Sequence, residues 1–161
     1  MRWSMWRRFR CALPAIGLCL PLYACGPGDV EPSSALLSKW PSKSSPRFLS
    51  EIKHGAWDTA CFLSAYDVPD KAMSRYYPGA NSFAMNDGDV ALAENEFAIA
   101  YINASARSID IDRYTIEYGY GGIYRVKGES CVARSRDNVA IRPSTAGGEP
   151  INTLVVGNFA P

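Results

Sequence analysis

Apolar and polar positions change rhythm along this chain, and each change predicts a different kind of segment. Cys11 to Leu22 is an apolar run of about a dozen residues, short of the roughly 20 that a membrane-spanning helix needs. From Gly26 to about Arg47 the apolar rhythm is lost among Gly26, Pro27, Gly28, Pro32, Pro41 and Pro46 with Ser33, Ser34, Ser42, Ser44 and Ser45. From Phe48 onward it returns as short clusters. Trp57, Cys61, Phe62, Leu63 and Tyr66 gather as in a buried strand. A helix follows, because Pro69 suits a first helical position, Asp70 its first turn and Arg75 its last, before Pro78-Gly79 stops it. Ala72 and Met73 with Tyr76 or Tyr77 give it one apolar face.

Beyond the helix the period shortens to two. Ser82 to Met85, Val90 to Ala93 and Phe97 to Ile102 read as a meander, with a hairpin turn at Asn86-Asp87-Gly88-Asp89 and a polar turn at Glu94-Asn95-Glu96. Ile109, Ile111, Tyr114, Ile116 and Tyr118 alternate with polar residues, as an antiparallel strand with one wet face does. Tyr124 to Lys127 and Cys131 to Arg134 complete the set. The expected fold is α+β: a small antiparallel sheet of about five to six strands, one short helix after the first strand, and one disulfide. The globular domain is placed at residues 48–145, and residues 146–161 form a tail in which Leu154-Val155-Val156 adds an edge strand.

The leader matches the demands of export. Arg2, Arg7, Arg8 and Arg10 precede the short apolar run, and Pro14, Gly17 and Pro21 weaken any stable membrane helix, so residues 1–24 read as a cleaved signal peptide. Leu22-Tyr23-Ala24-Cys25 resembles the end of a bacterial lipoprotein signal, with Leu three before and a small residue one before the cysteine that takes the lipid. That resemblance implies a lipid on Cys25, a tether over residues 25–47, and a membrane partner reached through the lipid. An ordinary secretory signal cut after Ala24 would instead leave Cys25 as a free thiol on a soluble periplasmic or secreted protein. In such lipoproteins Asp after the lipidated cysteine favours inner-membrane retention. Gly26 stands there, which implies the periplasmic face of the outer membrane. Within the tether, Leu36, Leu37 and Trp40 have the character to dock on the domain or form a helical turn.

Removing residues 1–24 takes four arginines and no acid, leaving 13 Lys+Arg against 16 Asp+Glu, a formal charge of −3. A mildly acidic chain without a Lys/Arg cluster excludes nucleic acid as a partner. Of the five cysteines, Cys11 and Cys19 leave with the signal and Cys25 takes the lipid. Cys61 and Cys131 remain as a pair that should oxidise outside the cytoplasm, worth about 4 kcal/mol in the chain-entropy model.

Trp57-Asp58-x-x-Cys61-Phe62-Leu63-x-x-Tyr66, followed by Asn86-Asp87-Gly88 and Cys131-Val132-x-Arg134, resembles small proteobacterial lipoproteins and secreted proteins, and that resemblance brings no activity with it. Size, anchor and single disulfide are also similar to those of periplasmic immunity proteins of type VI secretion effectors.

Catalytic chemistry finds little support. Asp87, Asp89, Glu94 and Glu96 lack the spacing of a helix-loop-helix calcium site. Asp110 and Asp112 share a strand face as paired carboxylates could, but a solvated face is the more ordinary state. His54, the single histidine, could serve as a base beside Asp58 with Ser50 or Ser64, yet no glycine-flanked serine elbow is present. No catalytic residue, metal ligand or cofactor site is expected. The surface that attracts attention is Tyr114 to Tyr124, where Tyr114, Tyr118, Tyr120 and Tyr124 interleave with glycines and are flanked by Arg113 and Arg125. Tyrosines offer contact area at low entropic cost. These six residues form the candidate patch for a periplasmic protein partner. The expected role is a lipid-anchored binding or interaction protein without catalytic activity; the alternatives are an immunity protein against a secreted toxin, a structural envelope component, or a cell-wall-acting enzyme.

Overall fold

A computed structural model describes residues 29–39, 47–119, 122–136 and 138–157. The expected signal peptide over residues 1–24, the expected lipid site Cys25, and Trp40 and Tyr120 lie outside the described residues.

Strand β3 (Thr59–Leu63) pairs antiparallel with β5 (Glu96–Asn103) on one side and with β8 (Cys131–Ala133) on the other. Strand β6 (Ser108–Thr115) pairs antiparallel with β5. Along the far edge of β6, two short strands add in parallel: β1 (Val30–Pro32) beside Arg113–Thr115, and β4 (Ala84–Met85) beside Ser108–Ile109. These six strands form the first sheet. A second sheet of four runs β2 (Arg47–Phe48), β9 (Asn138–Ala146), β10 (Glu149–Val156) and β7 (Arg125–Gly128), with β10 and β7 parallel. Three helices complete the α+β fold: α1 (Ser33–Ser38), α2 (Leu49–Ile52) and α3 (Pro69–Tyr76).

Strands β3 and β5 read as unbroken apolar runs because the first sheet is covered on both faces. Ala60, Phe62, Phe97, Ile99 and Tyr101 point into a core shared with Leu36, Leu37, Leu49, Leu154 and Val156. Their neighbours Cys61, Leu63, Ala98, Ala100 and Ile102 point the other way, onto Ala72 and Met73 of α3. The period of two thus feeds two cores. Helix α3 follows the first long strand as its sequence predicts, with Pro69 at its start, Asp70 in its first turn and Arg75 in its last. Cys61 and Cys131 face each other across β3 and β8 and form the disulfide.

Three expectations change. Residues 29–39 do not behave as a tether: β1 is hydrogen-bonded to the sheet, and Leu36 and Leu37 dock on the domain from α1, as their apolar character allowed. Burying such a leucine is worth about 1.5–3 kcal/mol, and it adds to the sheet pairing of β1 and the Ser33 and Ser34 hydrogen bonds in holding this Ser-rich segment on the domain. The tail is not an edge. Gly147 and Gly148 both take positive φ, closing a two-residue hairpin that places β10 between β9 and β7. Finally, Val90 to Ala93 form no strand. Leu92 is buried, and its backbone exchanges two hydrogen bonds of 2.9 Å with Tyr66 and Asp67.

Candidate interaction surface

The Tyr- and Gly-rich run begins inside the protein and ends on its surface. Arg113 is 5% exposed and holds two nearly buried carboxylates, Asp87 through Nη1 at 2.9 Å and Glu96 through Nη2 at 2.5 Å; Nη2 also donates to the Ala91 carbonyl. Burial alone would lower its pKa, but the hydrogen bonds to Glu96 and Asp87 reverse the effect and hold it raised. Tyr114, 2% exposed, stacks on Phe97 with ring centroids 5.3 Å apart. Burial, and then the charge of Asp112, push its phenol well above its ordinary value. Arg113 and Tyr114 are therefore removed from the predicted patch: the first ties the 86–95 segment to the sheet, and the second fills the core.

After Thr115 the chain leaves the sheet, and the loop it makes is pinned at both ends. The Ile123 N–H donates to Ser33 Oγ at 2.8 Å, and that hydroxyl in turn donates to Glu117 Oε2 at 3.1 Å. Glu117 Oε2 also accepts the Ser34 N–H at 2.7 Å, so its carboxylate caps the start of α1 and its pKa is lowered, chiefly by that backbone bond. Asn152 of β10 is 1% exposed; its Nδ2 donates to the Gly122 carbonyl at 2.8 Å, while its own carbonyl accepts the Tyr124 N–H at 2.9 Å. A side chain at Gly122 would collide with Glu117, which is why the loop closes on a glycine there. Ile123, wholly buried, anchors the centre.

On this base stand Tyr118, Tyr124 and Arg125. Tyr118 is 68% exposed, lies 4.6 Å from Tyr124 between ring centroids, and reaches the Tyr124 hydroxyl at 3.4 Å, a bond that raises its pKa. The Arg125 guanidinium lies 5.3 Å from the Tyr124 ring centroid, within cation–π range. Together with Glu94, Asn95 and Ile116 they line an open cleft of about 540 Å³. A second cleft of about 200 Å³ adjoins it through Ile116, Tyr124 and Arg125 and extends to Ser64 and Ala65.

Tyr66, next in the chain, was not part of the predicted surface. It is 68% exposed, has φ 67°, and bonds to Glu94; local desolvation first, then that carboxylate, raises its phenol pKa. An exposed tyrosine with left-handed backbone is uncommon. The sequence groups it with the buried cluster from Trp57, but β3 ends at Leu63 and the turn that follows puts Tyr66 on the surface.

The other sequence candidates are accounted for by ordinary structure. Lys53 Nζ lies 2.7 Å from Asp110 and 2.8 Å from Asp112; burial acts to lower its pKa, and these bonds outweigh it to leave the value raised. This trio lies in a polar cleft of about 310 Å³ with Asp29, Glu31 and Lys39, which includes neither His54 nor Asp58. Asp58 accepts the Ala104 N–H at 2.8 Å and closes a turn. Asp87 and Glu96 are engaged by Arg113. Among the described residues no group of three or more His, Cys, Asp or Glu could hold a metal ion, and no helix is long and apolar enough to cross a membrane.

Comparison with protein-family models, with curated proteins and with solved structures gives no match.

Proposed function

We propose that this chain is a lipid-anchored interaction protein of the periplasm, held by Cys25 at the periplasmic face of the outer membrane. It acts by binding a protein partner and performs no catalysis. The observation that carries this reading is the pinned loop that presents Tyr118, Tyr124 and Arg125 over an open cleft. Aromatic and arginine side chains on a rigid base are the residue types that dominate protein interfaces, since little conformational freedom is lost when a partner settles on them. Tyr66 enlarges the same surface. The Asp110–Lys53–Asp112 cluster lends no support to a competing enzymatic reading, because both carboxylates are engaged by Lys53.

A photo-reactive residue at position 118, introduced in cells, tests the reading. We expect one discrete crosslinked protein, lost in a Tyr124→Ala background and not formed from position 70 on α3. A ladder of adducts shared by both positions would argue against a specific surface.

A further inference from the structure

The chain between the proposed anchor and the folded domain is very short. Gly26, Pro27 and Gly28 alone separate Cys25 from Asp29, and Val30 already pairs with Arg113 in the first sheet. At about 3.3–3.6 Å per residue, the path from Cys25 to Val30 spans at most about 18 Å. A domain of this size has a radius of gyration of about 14 Å, so it is roughly 35 Å across. The lipid therefore cannot hold the domain further off than about half its own width.

The point of entry sets which face lies nearer the lipid: Asp29, where the leash joins the domain, itself lines the polar cleft. Strand β1 runs parallel to β6, with Val30 beside Arg113 and Pro32 beside Thr115. The chain thus enters from the side of Asp110 and Asp112 and runs toward Thr115, beyond which lie Ile116 and Tyr118. The entry side carries the polar cleft of Asp29, Glu31, Lys39, Lys53, Asp110 and Asp112. Such a charged surface belongs in headgroup water and not in hydrocarbon. The tyrosine cleft is at the other end of the same strand.

We infer that the lipidated domain stands directly on the bilayer, polar cleft toward the headgroups and tyrosine cleft away from them, so that its partner is a water-soluble macromolecule approaching from the periplasmic side. This rests on lipidation of Cys25. It replaces the expected tether over residues 25–47 with a leash of a few residues.

The full lipoprotein is purified from cells fed labelled palmitate and placed in phosphatidylethanolamine/phosphatidylglycerol vesicles carrying a nitroxide headgroup lipid. A bimane probe is attached at Asp110→Cys or at Tyr118→Cys, both exposed positions. We expect palmitate incorporation and several-fold stronger quenching at 110 than at 118. Inserting about twelve Gly/Ser residues between Gly28 and Asp29 should remove the difference, since a flexible linker lets the domain turn. With palmitate incorporated, equal quenching at the two positions, stronger quenching at 118, or none at either would overturn the stance alone. Absence of palmitate from the wild type would overturn the anchor, and the stance with it.

Discussion

Within thirteen residues, the stretch from Arg113 to Arg125 contains two kinds of tyrosine and two kinds of arginine. Tyr114 is locked against Phe97, and Arg113 is locked between Asp87 and Glu96. Tyr118 and Arg125 instead rest on Tyr124 at the surface. Composition treats the two halves alike; burial separates them. The first half holds the fold together, and the second is held by it, through Ser33, Glu117 and Asn152. A residue type that favours interfaces is informative only once its own neighbours are known.

The sharpest way to break the contrast is Arg113→Ala. Two nearly buried carboxylates would lose their cation, and removing one partner of such a cluster costs about 3–5 kcal/mol. Urea unfolding measures it, and a loss below about 1 kcal/mol, the size of a surface pair, would erase the distinction from Arg125. Leu36→Ala comes next, at about 2–5 kcal/mol for a wholly buried leucine. It tests whether residues 33–38 belong to the core, since a leucine on a solvated tether would cost almost nothing.

Glu117 joins the two halves, and its removal should have an intermediate effect. Glu117→Gln weakens the cap on α1 by about 1 kcal/mol at neutral pH. The folded-state pKa of Glu117 is depressed. Its contribution is therefore present above the unfolded carboxylate value near 4.3 and is lost as pH falls through the lower, folded one. The variant should lose that part of the acid dependence, which unfolding curves from neutral to acidic pH would reveal. Arg125→Ala should lose less again, about 0.5–1 kcal/mol for an exposed cation–π contact, with its larger consequence in loss of the crosslink from position 118.

Much of the fold was legible because its signals are local. Pro69, Asp70 and Arg75 mark the ends of α3, and the runs that became β3 and β5 needed only short windows. The Cys61–Cys131 pair followed from counting once the cysteines of the expected leader and lipid site were set aside. What escaped depends on partners distant in sequence. Nothing near Val30 announces a parallel pairing with Arg113, and nothing near Arg113 announces carboxylates at positions 87 and 96. The β9–β10 hairpin was hidden behind Pro143 and Pro150, which argue locally against central strands. At the candidate surface, Tyr118, Tyr124 and Arg125 were found from composition. Tyr66 was missed because its exposure comes from a backbone reversal at φ 67° at the end of an apolar run.

The claim that the exposed tyrosines are carried by the fold and do not support it is tested most directly by comparing unfolding free energies of Tyr114→Ala with those of Tyr118→Ala and Tyr124→Ala. We expect Tyr114→Ala to lose about 3–5 kcal/mol, as other buried aromatics do. Tyr118→Ala should lose no more than about 0.5 kcal/mol, the range of exposed positions, and half-buried Tyr124→Ala about 1–1.5 kcal/mol with its ring contacts. A loss of about 3 kcal/mol or more at Tyr118 would make it a structural residue like Tyr114 and contradict the assignment of a binding surface.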